Sequence, residues 1–127
     1  MRRTAIFALV VLALAAGIVS SGATAVNAAV RDAGALLQRA ETAICRGDGP
    51  EAVRAIDALD GYWRERVRML EALTSHDVLY DVRDAIGDAA LCLANGDSQE
   101  CLRALTGAGA ALERIRVAEA VRWMNLF

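Results

Sequence analysis

Between Thr4 and Val30 no side chain carries a charge, and the only charged side chains before that stretch are Arg2 and Arg3. Residues 5–19 are apolar without a break, and Ala-rich, small-residue sequence carries the apolarity on to Val30. A helix needs about 20 such residues to cross hydrocarbon. The segment therefore constrains the chain to a membrane-inserted or exported protein and excludes a soluble enzyme for the whole chain.

Anchor and cleaved signal remain open at this level. Ala23-Thr24-Ala25 and Val26-Asn27-Ala28 both place small residues at the spacing a signal peptidase reads. The uncharged stretch runs past both sites to Val30, and that length favours a retained, slightly tilted span. With Arg2 and Arg3 upstream, the positive-inside bias keeps the N-terminus cytoplasmic, so the rest lies outside. The expectation is residues 1–29 as anchor or signal segment and residues 30–127 as an extracytoplasmic helical domain. The location is a single-pass protein of the cytoplasmic membrane, or a secreted domain if the signal is cut. No cysteine follows the apolar run within lipoprotein distance, since the first is Cys45.

Arg2 and Arg3 aside, 12 basic residues face 16 acidic ones. This balance gives no basic excess for nucleic acid. Every basic residue is Arg, scattered rather than clustered. Only Pro50 could interrupt a helix, and Ala and Leu dominate, so the domain is expected to be all-α.

Two stretches match each other: Gly47-Asp48-Gly49-Pro50-Glu51-Ala52-Val53-Arg54-Ala55-Ile56 and Gly96-Asp97-Ser98-Gln99-Glu100-Cys101-Leu102-Arg103-Ala104-Leu105. Each reads as a helix end and a helix start, with Gly past a C-terminus, Asp as cap and Glu completing a capping box. Duplication and a capping solution reached twice both remain open. The plan is helix one over 30–45, continuous or not with the anchor, then helices over 50–73, 77–93 and 98–124, the last with a break near Arg116. Val53, Ile56, Leu59, Trp63, Val67, Leu70 and Leu73 form one apolar stripe, and Leu79, Val82, Ile86, Ala89 and Leu93 another. The last helix offers Leu102, Leu105, Ala108 or Gly109, Leu112 and Ile115. Short connections make neighbouring helices antiparallel, which predicts a small bundle of two helical hairpins.

Asp77, Asp81, Asp84 and Asp88 fall at i, i+4, i+7 and i+11, an acidic ridge on one side of the third helix. Such a ridge suits a weak divalent-cation site or a basic partner, and equally a solvated face or pairing with Arg64, Arg66 and Arg68. His76, the single histidine, is expected to cap or buttress a turn, with Thr74 and Asp77 at capping-box spacing. No nucleophile, no second histidine and no known catalytic or phosphate-binding motif accompanies it. Trp63 belongs to the core, and Trp123 either packs or rests at a membrane or partner surface. Cys92 and Cys101 flank the Asn95-Gly96-Asp97 turn and could be joined in an oxidising compartment or remain small buried side chains. Gly107 and Gly109 are expected to permit close helix packing.

The order of a membrane helix, Trp63 in a long helix, His76-Asp77 followed by Asp81, a polar hairpin at Asn95-Gly96-Asp97 and an ending at Asn125-Leu126-Phe127 resembles an uncharacterised bacterial family, domain of unknown function four-three-six-three. The resemblance spans most of residues 30–127. The chain departs from it in its Ala and Arg richness, its lack of Lys and its three cysteines. It implies a membrane-anchored helical domain with no established activity; separately, no cofactor is expected from the residues.

Taken together, the residues point to a non-enzymatic accessory or interaction protein of the bacterial envelope. Membrane lipid would be its partner through the N-terminal helix, with a protein partner reached through the ridge, His76, Trp123 or Phe127. The alternative is a cation- or small-ligand-sensing domain using the ridge, and an enzyme built on His76 is the least supported.

Overall fold

The computed structural model describes residues 2–126, with side-chain environments given for all of these except residues 19–21 and 126. Four helices account for nearly all of them: α1 Arg2–Cys45, α2 Gly49–Leu70, α3 His76–Ala94 and α4 Ser98–Leu126. No strand occurs among the described residues. α1 packs on α2 and α4, and α3 packs on the same two, so each helix of the bundle touches two neighbours.

The helices form where the apolar spacing calls for them. In α2, Ala52, Ile56, Leu59, Trp63, Val67 and Leu70 are buried at steps of three and four, and in α3 so are Leu79, Val82, Ile86 and Ala89. Val53, placed on the α2 stripe from spacing alone, is exposed instead, and Ala52 takes the inward position. Trp63 fills the centre at 1% exposure, and its indole N–H donates to the Leu79 carbonyl at 3.1 Å. That bond removes the penalty of an unpaired buried donor.

α1 is one uninterrupted helix with two unlike halves. Ile6, Phe7, Leu9, Val10, Val11, Leu12, Leu14 and Ile18 are all exposed, Leu12 at 69% and Ile18 at 73%. At 100° per residue these positions cover every side of the helix, the pattern of a segment whose surroundings are apolar all round. From Ala23 on, the burial becomes one-sided: Val26, Ala29, Ala33, Leu37 and Ala40 recur at three and four and join the core of the bundle. The core thus extends toward the N-terminus past residue 30, the boundary drawn from charge. Residues 2–21 make about 30 Å of helix at 1.5 Å per residue, about the thickness of hydrocarbon.

The two matching stretches fold alike, bond for bond. Gly47 and Gly96 take φ of +71° and +77°, a region Gly enters without the steric cost of a Cβ. The N–H of Gly47 reaches Ile44 O and that of Gly96 reaches Leu93 O, both at 3.0 Å. Asp48 and Asp97 donate back to Ala43 O and Cys92 O, both at 2.9 Å. These are the paired bonds of a Schellman helix end. The Asp48 and Asp97 carboxylates then accept the N–H of Glu51 and Glu100, both at 3.1 Å. The expected reciprocal half of each capping box does not form, because the cap N–H groups are already taken by the preceding helix. Glu51 and Glu100 pair with Arg54 and Arg103 instead, at 3.1 and 2.9 Å.

Three local expectations are corrected. α2 ends at Leu70 rather than Leu73, although Leu73 still packs against the core. α3 begins at His76 with Ser75 as cap and no side-chain capping bond, so the Thr74–Asp77 box is absent. α4 continues through Arg116 unbroken. The glycines of α4 also differ: a Cβ on Gly109 would sit 3.1 Å from Leu37 Cδ2 of α1, whereas one on Gly107 would meet nothing within 4 Å.

That difference fixes the sign of two substitutions. Gly107→Ala should stabilise the fold by about 0.5–1 kcal/mol, the helix-interior advantage of Ala over Gly. Gly109→Ala should gain less or lose, since Leu37 must shift. Thermal unfolding followed by circular dichroism compares them directly, and equal gains would show that α1 and α4 do not approach closely at Gly109.

Candidate functional site

The acidic ridge is a line rather than a cage. All four of Asp77, Asp81, Asp84 and Asp88 are exposed on α3, spread over about 16 Å at the helical rise. Asp81 accepts from Arg114 of α4 at 3.4 Å, not from the arginines of α2. Arg64 pairs with Asp60 of its own helix at 3.1 Å. Asp84 and Asp88 line a shallow groove shared with Asp60, Arg64 and Arg83, where both signs of charge meet. Among the described residues no three carboxylate, imidazole or thiol groups converge as a bound metal would require.

His76 stands exposed at the first turn of α3, its ring tilted toward Tyr80 with centroids 6.4 Å apart. Tyr80 donates its hydroxyl to Glu71 at 3.1 Å, so the two residues brace the α2–α3 connection. Cys92, Cys101 and Cys45 are free thiols. Cys101 is buried, and burial pushes its thiol up, with the neighbouring Cys92 adding to the shift. Phe127 lies outside the described residues.

The densest set of unusual side chains gathers elsewhere, where α1 enters the bundle. Ile18, Gly22, Ala23 and Val26 of α1 face Leu73 of the α2–α3 connection and Glu119, Arg122 and Trp123 of α4 across a cleft of about 340 Å³. Gly22 lets Leu73 come close, for a Cβ there would meet Leu73 Cδ2 at 3.3 Å. Glu119, at 5% exposure, is the one buried charged residue among those described. Its carboxylate accepts from Arg122 Nη1 at 3.4 Å, and the same nitrogen donates to the Leu73 carbonyl. The guanidinium thus ties the end of α4 to the α2–α3 connection and neutralises the carboxylate, which limits the cost of burying it. Trp123, named from the sequence as a packing or surface residue, forms part of this wall and is half-buried.

Glu119 was missed in the sequence although a signal was there. Cys101, Leu105, Ala108, Leu112 and Ile115 are buried at alternating steps of four and three, and one further step of four reaches Glu119. A charge in the register of a core stripe marks a site where packing and polarity are combined.

At the far end of the bundle Glu51 ties α2 to α1 by accepting from Arg39 of α1 at 2.6 Å, and it also accepts from Arg54. These two guanidiniums, Arg39 foremost, hold its carboxyl below the ordinary value of 4.5. No family model matches the chain, and no curated protein or solved structure matches it. A family assignment therefore has only the sequence resemblance behind it.

The Glu51 cluster yields a pH dependence. A carboxyl whose folded pKa lies below its unfolded one contributes stability that is fully present above the unfolded value and is lost as pH falls through the folded value. Stability should therefore decline below about pH 4.5, and Glu51→Gln should flatten part of that decline while leaving the neutral-pH curve less stable than wild type. Urea unfolding at pH 7 and pH 3.5 measures both, and an unchanged acid limb in the variant would remove the assigned role.

Proposed function

We propose that the protein is a membrane-anchored, non-enzymatic accessory protein of the bacterial envelope, with the N-terminus inside and the bundle outside. The observation that carries this reading is the unbroken α1, long and apolar enough to cross a membrane over its exposed half and packed into the core over its other half. Cutting after Ala25 would remove the buried Ala23, and cutting after Ala28 would strip Val26 from the core as well. The first cut also removes Ile18, Gly22 and Ala23 from the wall of the cleft, and the second removes its last α1 residue, Val26. A retained anchor leaves the bundle intact, and this supports retention over secretion.

In this reading the bundle is built from two antiparallel hairpins, α1–α2 and α3–α4, descended from one unit. Their matching turns support duplication, as does the core correspondence of Ala33, Leu37 and Ala40 with Val82, Ile86 and Ala89 at the same 49-residue offset as Gly47 and Gly96. The connection at residues 71–75 and the end of α4 then face the membrane, and the glycine turns face away. A protein partner would meet the exposed apolar residues left on the bundle, Val53 and Leu91 toward the glycine turns and Val117 on α4. No observation favours the cation-sensing alternative, because the ridge carboxylates do not converge.

Intact-mass analysis of the protein from membrane and soluble extracytoplasmic fractions tests the anchor. The expected result is the full-length mass confined to membranes. A soluble species beginning at Val26 or Ala29 would overturn the reading. Crosslinking in native membranes should then recover a second protein, and recovery of this chain alone would count against an accessory role.

A further inference from the structure

We propose that the cleft between α1 and the end of α4 holds an acyl chain of a bilayer phospholipid. The inference rests on the anchored reading above and adds a ligand to it. Three observations converge. First, the wall formed by Ile18, Ala23, Val26, Leu73 and Trp123 is apolar and runs about 12 Å along α1 from Ile18 to Val26 at the helical rise. Second, Ile18 ends the all-round exposed half of α1, so the cleft opens where that half meets the bundle and is continuous with the surface that hydrocarbon would cover. A chain entering it stays in apolar surroundings throughout. Third, the two charges of the wall, Glu119 and Arg122, engage one another and the Leu73 carbonyl. The wall thus carries no net charge with which to select a cation or an anionic headgroup, and its occupant is the apolar part of the lipid. Gly22 lets Leu73 approach to form the apolar wall, and Trp123 places an indole against the occupant at the level where aromatic side chains favour the membrane interface.

Trp123 also supplies the probe. The only other tryptophan, Trp63, is sealed in the bundle and is out of reach of lipid. The full chain is reconstituted in phosphatidylcholine vesicles with and without bromine on the acyl chains, and vesicle flotation is checked in every sample. Bromine should quench wild-type fluorescence several-fold more than that of Trp123→Phe. Gly22→Leu, whose added Cβ meets only the flexible tip of Leu73, fills the cleft and should at least halve the quenching while flotation and helicity persist. Native mass spectrometry of gently extracted protein should show one retained phospholipid, lost in Gly22→Leu, which keeps the test decisive if the variant shifts Trp123. Replacing a third of the lipid with phosphatidylglycerol should leave quenching unchanged.

Quenching that is absent, or that survives in Gly22→Leu with no retained phospholipid, would overturn the proposal while flotation left the anchor standing. Quenching that appears only with phosphatidylglycerol would mean a headgroup site and would contradict an acyl-chain site. A chain that does not float would end both readings.

Discussion

Everything in this molecule depends on the continuity of one hydrogen-bonded helix. α1 crosses without interruption from a half that exposes apolar side chains on every side to a half that supplies one wall of the core. Within such a helix each backbone N–H and C=O finds a partner along the same segment, the condition any helix must meet to enter hydrocarbon. The change of surroundings is carried entirely by side chains: Leu, Val and Phe before residue 18, then Ala and Gly with Val26 and Leu37 afterwards. Small residues serve the second half because α2 and α4 pack against it, where Ala29, Ala33 and Ala40 are buried. The apolar N-terminal segment and the bundle are therefore one object rather than a domain on a tether.

The rest of the bundle is closed by two copies of the same turn. A glycine at positive φ ends one helix and an aspartate starts the next, and the same carbonyl and carboxylate acceptors recur at both turns. Salt bridges on the outside, each of which holds a well-exposed Arg side chain, add little to stability beyond their local geometry. Where charge enters the interior, at Glu119, the structure handles it differently, with a guanidinium that serves the carboxylate and a backbone carbonyl together. This polar clasp sits beside the apolar cleft and ties the end of α4 to the α2–α3 connection.

How much of this was legible depends on which physics controlled each feature. Apolar spacing located α2 and α3 because their core positions repeat faithfully, and glycine followed by aspartate located both turns because few residues tolerate that conformation. The end of α2 was misjudged at Leu73 because Leu73 continues the apolar spacing, yet it packs half-buried against the core from a connection rather than from a helix. The capping-box half at Glu51 and Glu100 failed because a donor already used by a Schellman end cannot serve twice. The ridge at Asp77 through Asp88 was plain in the sequence, but spacing on one helix says nothing about whether carboxylates converge. The cleft was least legible: its walls come from residues about 50 and 100 positions apart, and its key charge was overlooked once the α4 stripe was taken to end at Ile115.

Amide hydrogen exchange of the full chain in lipid nanodiscs, resolved along residues 2–45, examines the central claim most directly. A continuous α1 requires slow exchange through residues 18–30, with no fast window between the segment in lipid and the segment in the bundle. Fast exchange confined to residues 19–25, with protection on both sides, would mean that the anchor and the bundle are separately folded pieces joined by a hinge. That result would contradict the single-helix account.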